Sequence, residues 1–394
     1  AYNNGSMLAV KPENGDGDFT FSRNSAATRV NAQGLVENVA SNLPRIDYTD
    51  GCGSLLLEPQ STNLITQSEL FSDASWNKSA TIVSANSTIS ADGTQNASLI
   101  QSTQTGTALV SVSYPTLTVG NTYTFSCFAK KANNDWIRLA HITSGGTGCW
   151  FDLENGVVGT VNSQSATIKD YGNGWYKCTN TFIATASTNV NLLFIAICDA
   201  NGSTNAGAIG QNDYLWGAQL EQNSYATSLI RTQGAISTRL ADIANNSGNA
   251  SLINSEEGVL YAEISALVDD GTNRRISIAK DSNNKINMVL SASSNTIQAI
   301  VISLGSVQFN QSYVITDTTS FFKVAIKYKE NDFALWINGV EVAVDTSGNT
   351  FTSGVLNKLV FDNVNGSNPF YGKTKAIAVF PYLTDEQLTA LTTI

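Results

Sequence analysis

Charged residues are scarce in this sequence: they make up 14% of its 394 residues, and acidic residues outnumber basic ones by 32 to 22. The polar surface must therefore consist mainly of Ser, Thr, Asn and Gln, which is more typical of secreted or virion β proteins than of cytosolic enzymes. The formal net charge of −10 disfavours nucleic acid and anionic membranes, because binding to either needs an excess of cations. We predict neither partner.

Long apolar runs and helix signals are also scarce. The longest apolar run, VNLLFIAIC at residues 190–198, is far shorter than the ~20 residues of a membrane-spanning helix, which predicts no membrane insertion. Only the last dozen residues look helical. Thirty glycines and many short alternating runs, separated by Asn, Gly and Ser, instead indicate half-buried strands, and the sequence predicts an all-β fold.

Catalytic signatures are missing. His141 is the single histidine, which makes a catalytic triad untenable and is most simply a core or half-buried residue. No GxSxG, HExxH or P-loop string occurs. Asp152 and Glu154 share a strand face, but the turn residues Asn155 and Gly156 follow at once, so they are a weak candidate for a glycosidase pair. We predict that the protein is not an enzyme and has no catalytic residues.

Metal and disulfide patterns are absent as well. The five cysteines are odd in number and lack CxxC spacing, so we interpret them as small buried side chains rather than zinc ligands or disulfides. NGDGD at 14–18 and DSNN at 281–284 could bind Ca²⁺ through carboxylate and carbonyl oxygens, but turns also favour these residues. We predict no metal site and no cofactor, with Ca²⁺ as the weaker alternative.

The chain is too long for one core, and its strand runs fall into two blocks. Residues 66–232 carry strong alternation at intervals typical of a jelly-roll-like sandwich, and residues 256–394 predict a second sandwich. Residues 233–255, rich in Asn, Ser and Gly, are predicted to be a linker. Residues 1–65 form a small β-rich segment with too few apolar residues to fold alone, so we expect it to pack on a neighbouring domain or another subunit.

Two local signals fix details of this plan. Asn338 and Gly339 separate two alternating runs and predict a two-residue hairpin turn. Thr384 and Gln387 fit a capping box at the start of a C-terminal helix.

Several strings carry a resemblance to a known group of proteins. GDFTFSRNSAATRV, PRIDYTDG, SLLLEPQSTNLI, GNGWYKCT and LWGAQLEQNSYATS, spread over residues 18–230, resemble structural proteins of tailed phages, especially tail-fibre, baseplate or head-fibre components of phages of Bacteroidetes. The central part is similar to carbohydrate-binding jelly rolls, and the C-terminal part to laminin-G or concanavalin A-like sandwiches. The resemblance implies a virion location and supplies no catalytic residue.

Strand parity sorts the tryptophans into two groups, because side chains two residues apart share a face. Trp216 shares its parity with Tyr214, Ala218 and Leu220, which predicts a core position, with Glu221 on the opposite face. Three other tryptophans lie on polar parities beside charged residues: Trp136 with Arg138, Trp150 with Asp152, and Trp175 with Lys177. These six residues either form a contact with another sheet, domain or subunit, which we favour, or bind a glycan by stacking and hydrogen bonding.

The leading interpretation is a non-enzymatic phage virion protein, a fibre, tail or capsid-accessory component that contributes to attachment to a host-surface polysaccharide. It would act extracellularly with other virion proteins, and resemblance to phage fibres favours a homotrimer. The alternatives are a polysaccharide-acting enzyme and a bacterial surface adhesin.

Overall fold

The computed structural model describes residues 2–3, 6–7, 18–142, 148–185 and 192–394. The protein is all-β, and its described residues form two sandwiches and one short helix, as the sequence predicts. Within the described part of the chain, no helix has both the length and the apolar character needed to cross a membrane.

The N-terminal segment contains short strands, two of which form a hairpin in which Thr28 pairs with Asn38. Its strands are β1 (Tyr2–Asn3), β2 (Ser6–Met7), β3 (Thr20–Ser22), β4 (Ala27–Val30), β5 (Val36–Val39), β6 (Arg45–Asp47), β7 (Ser54–Leu57) and β8 (Ser61–Asn63).

The first sandwich packs two six-stranded antiparallel sheets around one core. Its strands are β9 (Trp76–Ser79), β10 (Thr81–Thr88), β11 (Ala97–Ser102), β12 (Ala108–Ser113), β13 (Thr122–Lys131), β14 (Trp136–Ile142), β15 (Gly148–Asp152), β16 (Val157–Val161), β17 (Ser165–Asp170), β18 (Trp175–Ile183), β19 (Leu192–Cys198) and β20 (Asn212–Glu221). The strand orders are β10-β11-β20-β13-β18-β17, called sheet I here, and β16-β15-β14-β19-β12-β9, called sheet II. His141 and four of the five cysteines are buried, as predicted.

The second sandwich follows two short strands, β21 (Ser237–Arg239) and β22 (Ile243–Asn245). Its own elements are β23 (Glu257–Ala266), β24 (Arg274–Asp281), β25 (Asn284–Leu290), β26 (Thr296–Ser303), β27 (Ser306–Val314), β28 (Phe322–Lys329), β29 (Phe333–Ile337), β30 (Val340–Asp345), β31 (Lys358–Val360), β32 (Gly372–Phe380) and α1 (Asp385–Thr392). The sheets run β30-β29-β28-β23-β32-β7-β6 and β27-β26-β25-β24-β31.

Both local signals are confirmed. Asn338 and Gly339 connect β29 to β30 with φ angles of 48° and 85°, which is the conformation of a primed hairpin turn. Thr384 caps α1 and exchanges hydrogen bonds with Gln387 in a capping box.

Strands from distant predicted segments of the chain pair with one another. Within the predicted segment 1–65, β7 pairs with β32 and so extends a sheet of the second sandwich. Within the predicted linker 233–255, β21 pairs with β8 and β22 pairs with β3. Strands of the N-terminal segment thus pair with strands of residues 233–255 and of the second sandwich. The segment also contacts the first sandwich, since the backbone of Leu64 donates to the carbonyl of Leu220.

A bulge in β20 changes the predicted faces. Trp216 is fully buried, as predicted, but it packs with Tyr214 and Phe128 on the outer side of sheet I, whereas Ala218 and Leu220 face the core between the sheets. The pairing of β13 with β20 shifts register at this point, and Gly217 has a φ of 61°. The extra residue reverses the parity beyond it, so the prediction that Trp216 shares a face with Ala218 and Leu220 was wrong.

Candidate functional site

A cavity of about 510 Å³ lies where the N-terminal segment, sheet I and the second sandwich meet. Its walls come from β4 and β6, from the outer side of β17 and β18, from residues 224–229 and from residues 265–268. We call it the interdomain cavity. Its rim is open, since Ser165, Thr167 and Thr319 are exposed, and its floor is buried, since Glu58 and Lys177 are not.

Two neighbouring strands give the cavity a polar wall. The outward residues of β17 and β18 stand opposite each other as Ser165 with Thr181, Thr167 with Thr179 and Lys169 with Lys177. All six line the cavity, while the alternate residues Ala166 and Ile168 pack on the sandwich core. This wall therefore presents two rows of hydroxyl groups that end at two ammonium groups.

The cavity floor rests on a buried network of ion pairs. Glu58 pairs with Arg45 and Arg239, each at 2.7 Å, and accepts hydrogen bonds from the backbone and side chain of Ser228. Asp242 pairs with Arg45 and, at 2.9 Å, with Arg23. Burial alone would raise the pKa of Glu58, but the two guanidinium groups and Ser228 hold that pKa well below its usual value.

A second group of ion pairs joins the cavity wall to the second sandwich. Asp50 pairs with Lys169 at 2.6 Å and also with Lys373, which lies 3.1 Å from Asp47. Burial acts to raise the pKa of Asp50, but hydrogen bonds from Lys169 and Lys373 lower it overall. The carboxyl group of Asp50 is therefore ionised at neutral pH.

Aromatic rings complete the lining. The rings of Phe128 and Tyr171 meet edge to face with their centroids 4.8 Å apart, and Tyr225 lines the cavity from the loop after β20. Burial and neighbouring carboxylates raise the pKa of Tyr171, and burial also raises that of Tyr225, so both hydroxyl groups keep their protons and can donate hydrogen bonds.

Two of the six predicted site residues lie at this side of sheet I. Trp175 is buried beneath the 89–91 region, and its indole nitrogen donates to the carbonyl of Ile89 at 3.0 Å. Lys177 lines the cavity, and its ammonium donates to the carbonyl of Thr227 at 2.6 Å. Glu221, predicted to face away from Trp216, instead lies on this outer side, where it accepts hydrogen bonds from Ser61 and Thr227.

The other four predicted residues lie on sheet II and do not reach the cavity. The Arg138 guanidinium stacks between the rings of Trp150 and Phe194, at 4.6 and 5.1 Å from their centroids. The Trp150 indole donates to the carbonyl of Ser203 at 2.5 Å, while Trp136 is half-buried beside it. Asp152 accepts hydrogen bonds from the backbone of Glu154 at 2.9 Å and Asn155 at 3.0 Å, and so shapes the turn.

Sequence reasoning missed most of the cavity lining. The string SATIKD at 165–170 does alternate polar with apolar residues, and it could have been read as a strand with Ser165, Thr167 and Lys169 on one face. Nothing local indicates that this face is covered by Asp47, Asp50 and residues from the second sandwich, because those residues arrive through pairing across the whole chain.

Neither candidate Ca²⁺ turn provides a metal site in the described residues. Asp281 accepts hydrogen bonds from Asn283 and Asn284 and so closes its own turn. In the other string, residues 14–17 lie outside the described residues. Across the described ranges no group of three or more His, Cys, Asp or Glu side chains is arranged to hold a metal ion.

Comparisons with known proteins give likenesses in fold. No protein-family profile and no curated protein sequence matches the chain. Among solved structures, it is similar to the carbohydrate-binding module of a Ruminococcus gnavus sialidase bound to α2,3-sialyllactose, at 17% identity and a TM-score of 0.32, over 38% of this chain and 93% of that one. A Bacillus subtilis carbohydrate-binding module matches at 10% identity and a TM-score of 0.26, over 35% and 81% of the two chains. Mouse laminin α1 domains LG4-5 match at 9% identity and a TM-score of 0.24, over 70% of this chain and 86% of that one. These values concern the sandwich fold alone.

Proposed function

We propose that the protein is a non-catalytic glycan-binding protein and that the interdomain cavity is its binding site. The observation that carries this proposal is the wall formed by β17 and β18, where paired Ser, Thr and Lys side chains face a cavity also lined by Tyr171 and Tyr225. Sugars are bound by this combination, since hydroxyl and charged groups hydrogen-bond their hydroxyls and aromatic rings pack on their C–H faces.

The size and position of the cavity suit a short stretch of glycan. Its volume of about 510 Å³ falls within the range of small-molecule sites, which often form between domains. The exposed residues Ser165 and Thr167 lie at its rim on β17, an edge strand, so a longer polysaccharide can continue into solvent.

The carboxylates in and near the cavity do not suit glycoside hydrolysis. A glycosidase needs one carboxyl group that stays protonated near neutral pH to act as the acid. Glu58 and Asp50 have lowered pKa values and are held in ion pairs. Away from the cavity, Asp152 is engaged by its turn and Glu154 pairs with Lys131 at 2.5 Å. We therefore expect no release of reducing ends from bacterial polysaccharides, and release that Asp152→Asn or Glu154→Gln abolishes would favour the alternative of a polysaccharide-acting enzyme.

Blocking the rim tests the site. Calorimetry with a panel of bacterial surface polysaccharides should detect binding to the wild type, and Ser165→Trp should remove it because the indole would fill the mouth. Ser84→Trp is the matched control, since Ser84 is an exposed serine on β10, the opposite edge strand of the same sheet. Equal loss in both variants, or binding that survives Ser165→Trp, would count against the cavity as the site.

We further propose that this glycan binding serves a phage virion, with a homotrimer as the assembly and other virion proteins as partners. The support for the virion is the set of strings over residues 18–230. The support for several copies is that multivalency turns weak sugar contacts into lasting attachment. Mass spectrometry of purified particles should find the chain, and light scattering should give about three times its mass of 41.9 kDa. Recovery from bacterial surfaces but not from particles would favour an adhesin, and a monomer at micromolar concentration would contradict the trimer.

A further inference from the structure

We propose that the glycan is acidic and that its carboxylate binds the ammonium of Lys177 at the floor of the interdomain cavity. This inference rests on the proposed glycan-binding function and specifies the class of sugar. Three features of the cavity support it: the balance of charges in the lining, the residue that lies opposite Lys177 on the neighbouring strand, and the position of the Lys177 ammonium group.

The charge balance leaves one cation over. The other charged groups of the lining are in ion pairs: Arg29 with Glu37, Lys169 with Asp50, Lys373 with Asp47 and Asp50, and Glu58 with Arg45 and Arg239. Among the described residues, Lys177 has no carboxylate within ion-pair distance; its one hydrogen bond goes to the backbone carbonyl of Thr227. It is therefore the charged lining residue that lacks an opposite charge in contact.

More distant groups do not remove this excess. Three buried carboxylates, those of Glu221, Glu58 and Asp47, act on Lys177 from beyond contact. Glu58 and Asp47 are held in the ion pairs described above, and the two oxygens of Glu221 already accept hydrogen bonds from Ser61 and Thr227. With Glu221 included, the described residues of the cavity and of the network beneath it hold six cations and five carboxylates, apart from the Arg29–Glu37 pair. These are Arg23, Arg45, Arg239, Lys169, Lys177 and Lys373 against Asp47, Asp50, Glu58, Glu221 and Asp242. A buried unbalanced charge is costly, and an anionic ligand would balance it.

The strand pairing repeats the same imbalance locally. Lys169 and Lys177 lie directly opposite each other on β17 and β18, and like charges in this arrangement repel. Asp50 neutralises Lys169 at 2.6 Å, but within the described part of the chain no carboxylate does the same for Lys177. The two lysines therefore carry one positive charge more than Asp50 neutralises, and an anionic ligand beside Lys177 would balance it.

The ammonium group of Lys177 is also free to donate. The residue is 6% exposed, its nitrogen lies 5.7 Å from the centroid of Phe128, and its hydrogen bond to Thr227 uses one of three N–H donors. Burial lowers the pKa of this lysine, and a bound carboxylate would raise it again. From Lys177, the hydroxyls of Thr179 and Thr181 continue along β18 for about 13 Å, enough for the hydroxyls of two or three sugar units.

The test compares acidic glycans with neutral copies of themselves. Oligosaccharides from alginate, from polygalacturonate and from a polymer of sialic acid are each prepared in native form and after chemical reduction of the carboxyl groups to alcohols. Calorimetry on the full chain should show binding of at least one native set and a loss of at least about tenfold in affinity for its reduced partner, because a hydrogen bond to a charged group is lost.

Two variants separate this inference from the proposed function. Lys177→Met keeps the shape of the stem without the charge, and it should erase the preference for the native form while the melting temperature stays at or above that of the wild type. Ser165→Trp should abolish binding of both forms. If native and reduced glycans bind equally, or if Lys177→Met keeps the preference, the acidic class is wrong although glycan binding stands. If none of the six preparations binds and the panel of bacterial surface polysaccharides also shows no binding, both proposals are wrong.

Discussion

Arg45 and Asp242 form an ion pair in which neither side chain is exposed to solvent. Arg45 lies on β6, within a sheet of the second sandwich, and Asp242 lies between β21 and β22, which pair with the N-terminal segment. Asp242 also holds Arg23 and accepts a hydrogen bond from the backbone of Glu58. One carboxylate thus ties together three stretches that are far apart in the sequence.

Removal of the charge at Asp242 should be strongly destabilising. Asp242→Asn leaves Arg23 and Arg45 buried with less compensation, and breaking such a pair costs about 3 to 5 kcal/mol. The control is Glu37→Gln in the partly exposed pair with Arg29, which should cost less than about 1 kcal/mol. Urea unfolding at neutral pH measures both. Equal stability of the two variants would show that the network does not join the segments energetically.

Acid should weaken the same network through Glu58. Its pKa is depressed in the folded protein by Arg239 and Arg45 against the opposing effect of burial, so its contribution is complete above the usual value of 4.5 and decreases as the pH falls below it. The difference in unfolding free energy between the wild type and Glu58→Gln should therefore stay constant from pH 7 to about pH 5.5 and shrink below pH 4.5.

This difference between variants is the quantity to measure, because burial raises the pKa of Asp213 and gives that residue the opposite pH dependence. Glu37→Gln provides the comparison: burial opposes, but hydrogen bonds from Asn31 and Arg29 also lower the pKa of Glu37, and this group is partly exposed. The difference in unfolding free energy between the wild type and Glu37→Gln should also shrink on acidification, and it should be smaller at every pH. If the difference in unfolding free energy between the wild type and Glu58→Gln widens on acidification, the pKa of Glu58 is not lowered in the folded protein.

The sequence was sufficient to predict the strands but not the cavity, because strands follow from local patterns and the cavity does not. Alternation is local, so runs such as β13 and the Asn338–Gly339 hairpin could be identified from neighbouring residues alone. The cavity depends on long-range pairing, in which Leu56 of β7 meets Lys373 of β32. No periodicity within either strand specifies that partner.

Parity arguments also fail at a bulge. The prediction for Trp216 assumed an unbroken strand, and the residue that breaks it is Gly217, which has a positive φ. A glycine within a strand pattern is a recognised signal for a bulge, so this change of strand face could have been predicted. The sequence could not specify that Phe128 and Leu229 pack against the bulge.

A side chain at Gly217 should destabilise the protein by two separate effects. A Cβ there would lie 2.9 Å from a ring carbon of Phe128 and 3.3 Å from Leu229, and the φ of 61° disfavours any L side chain. Gly120→Ala isolates the second effect, since Gly120 has a φ of 86° with nothing within 4 Å. We expect a loss of about 1 kcal/mol for Gly120→Ala and about 2 to 4 kcal/mol for Gly217→Ala, measured by urea unfolding. Equal losses would mean that the bulge has room for a methyl group.

Trp150 provides the test that separates a structural tryptophan from a sugar-binding one. Its ring is 3% exposed, stacks on Arg138 and is fixed by the hydrogen bond to Ser203, all on sheet II and away from the interdomain cavity. Trp150→Ala should therefore cost about 3 to 5 kcal/mol of stability, because a large buried side chain is lost and a cavity remains.

The same variant should keep the affinity of the wild type for any glycan that Ser165→Trp excludes, when both are compared below their melting temperatures. Trp136→Ala is the companion variant, and it should cost less because Trp136 is only half-buried beside Gly159 and Asn201. Calorimetry and thermal unfolding on the two tryptophan variants measure binding and stability separately. A folded Trp150→Ala protein that no longer binds glycan would move the binding site to sheet II, because the loss of a ring that only supports the fold cannot change affinity at a cavity it does not line.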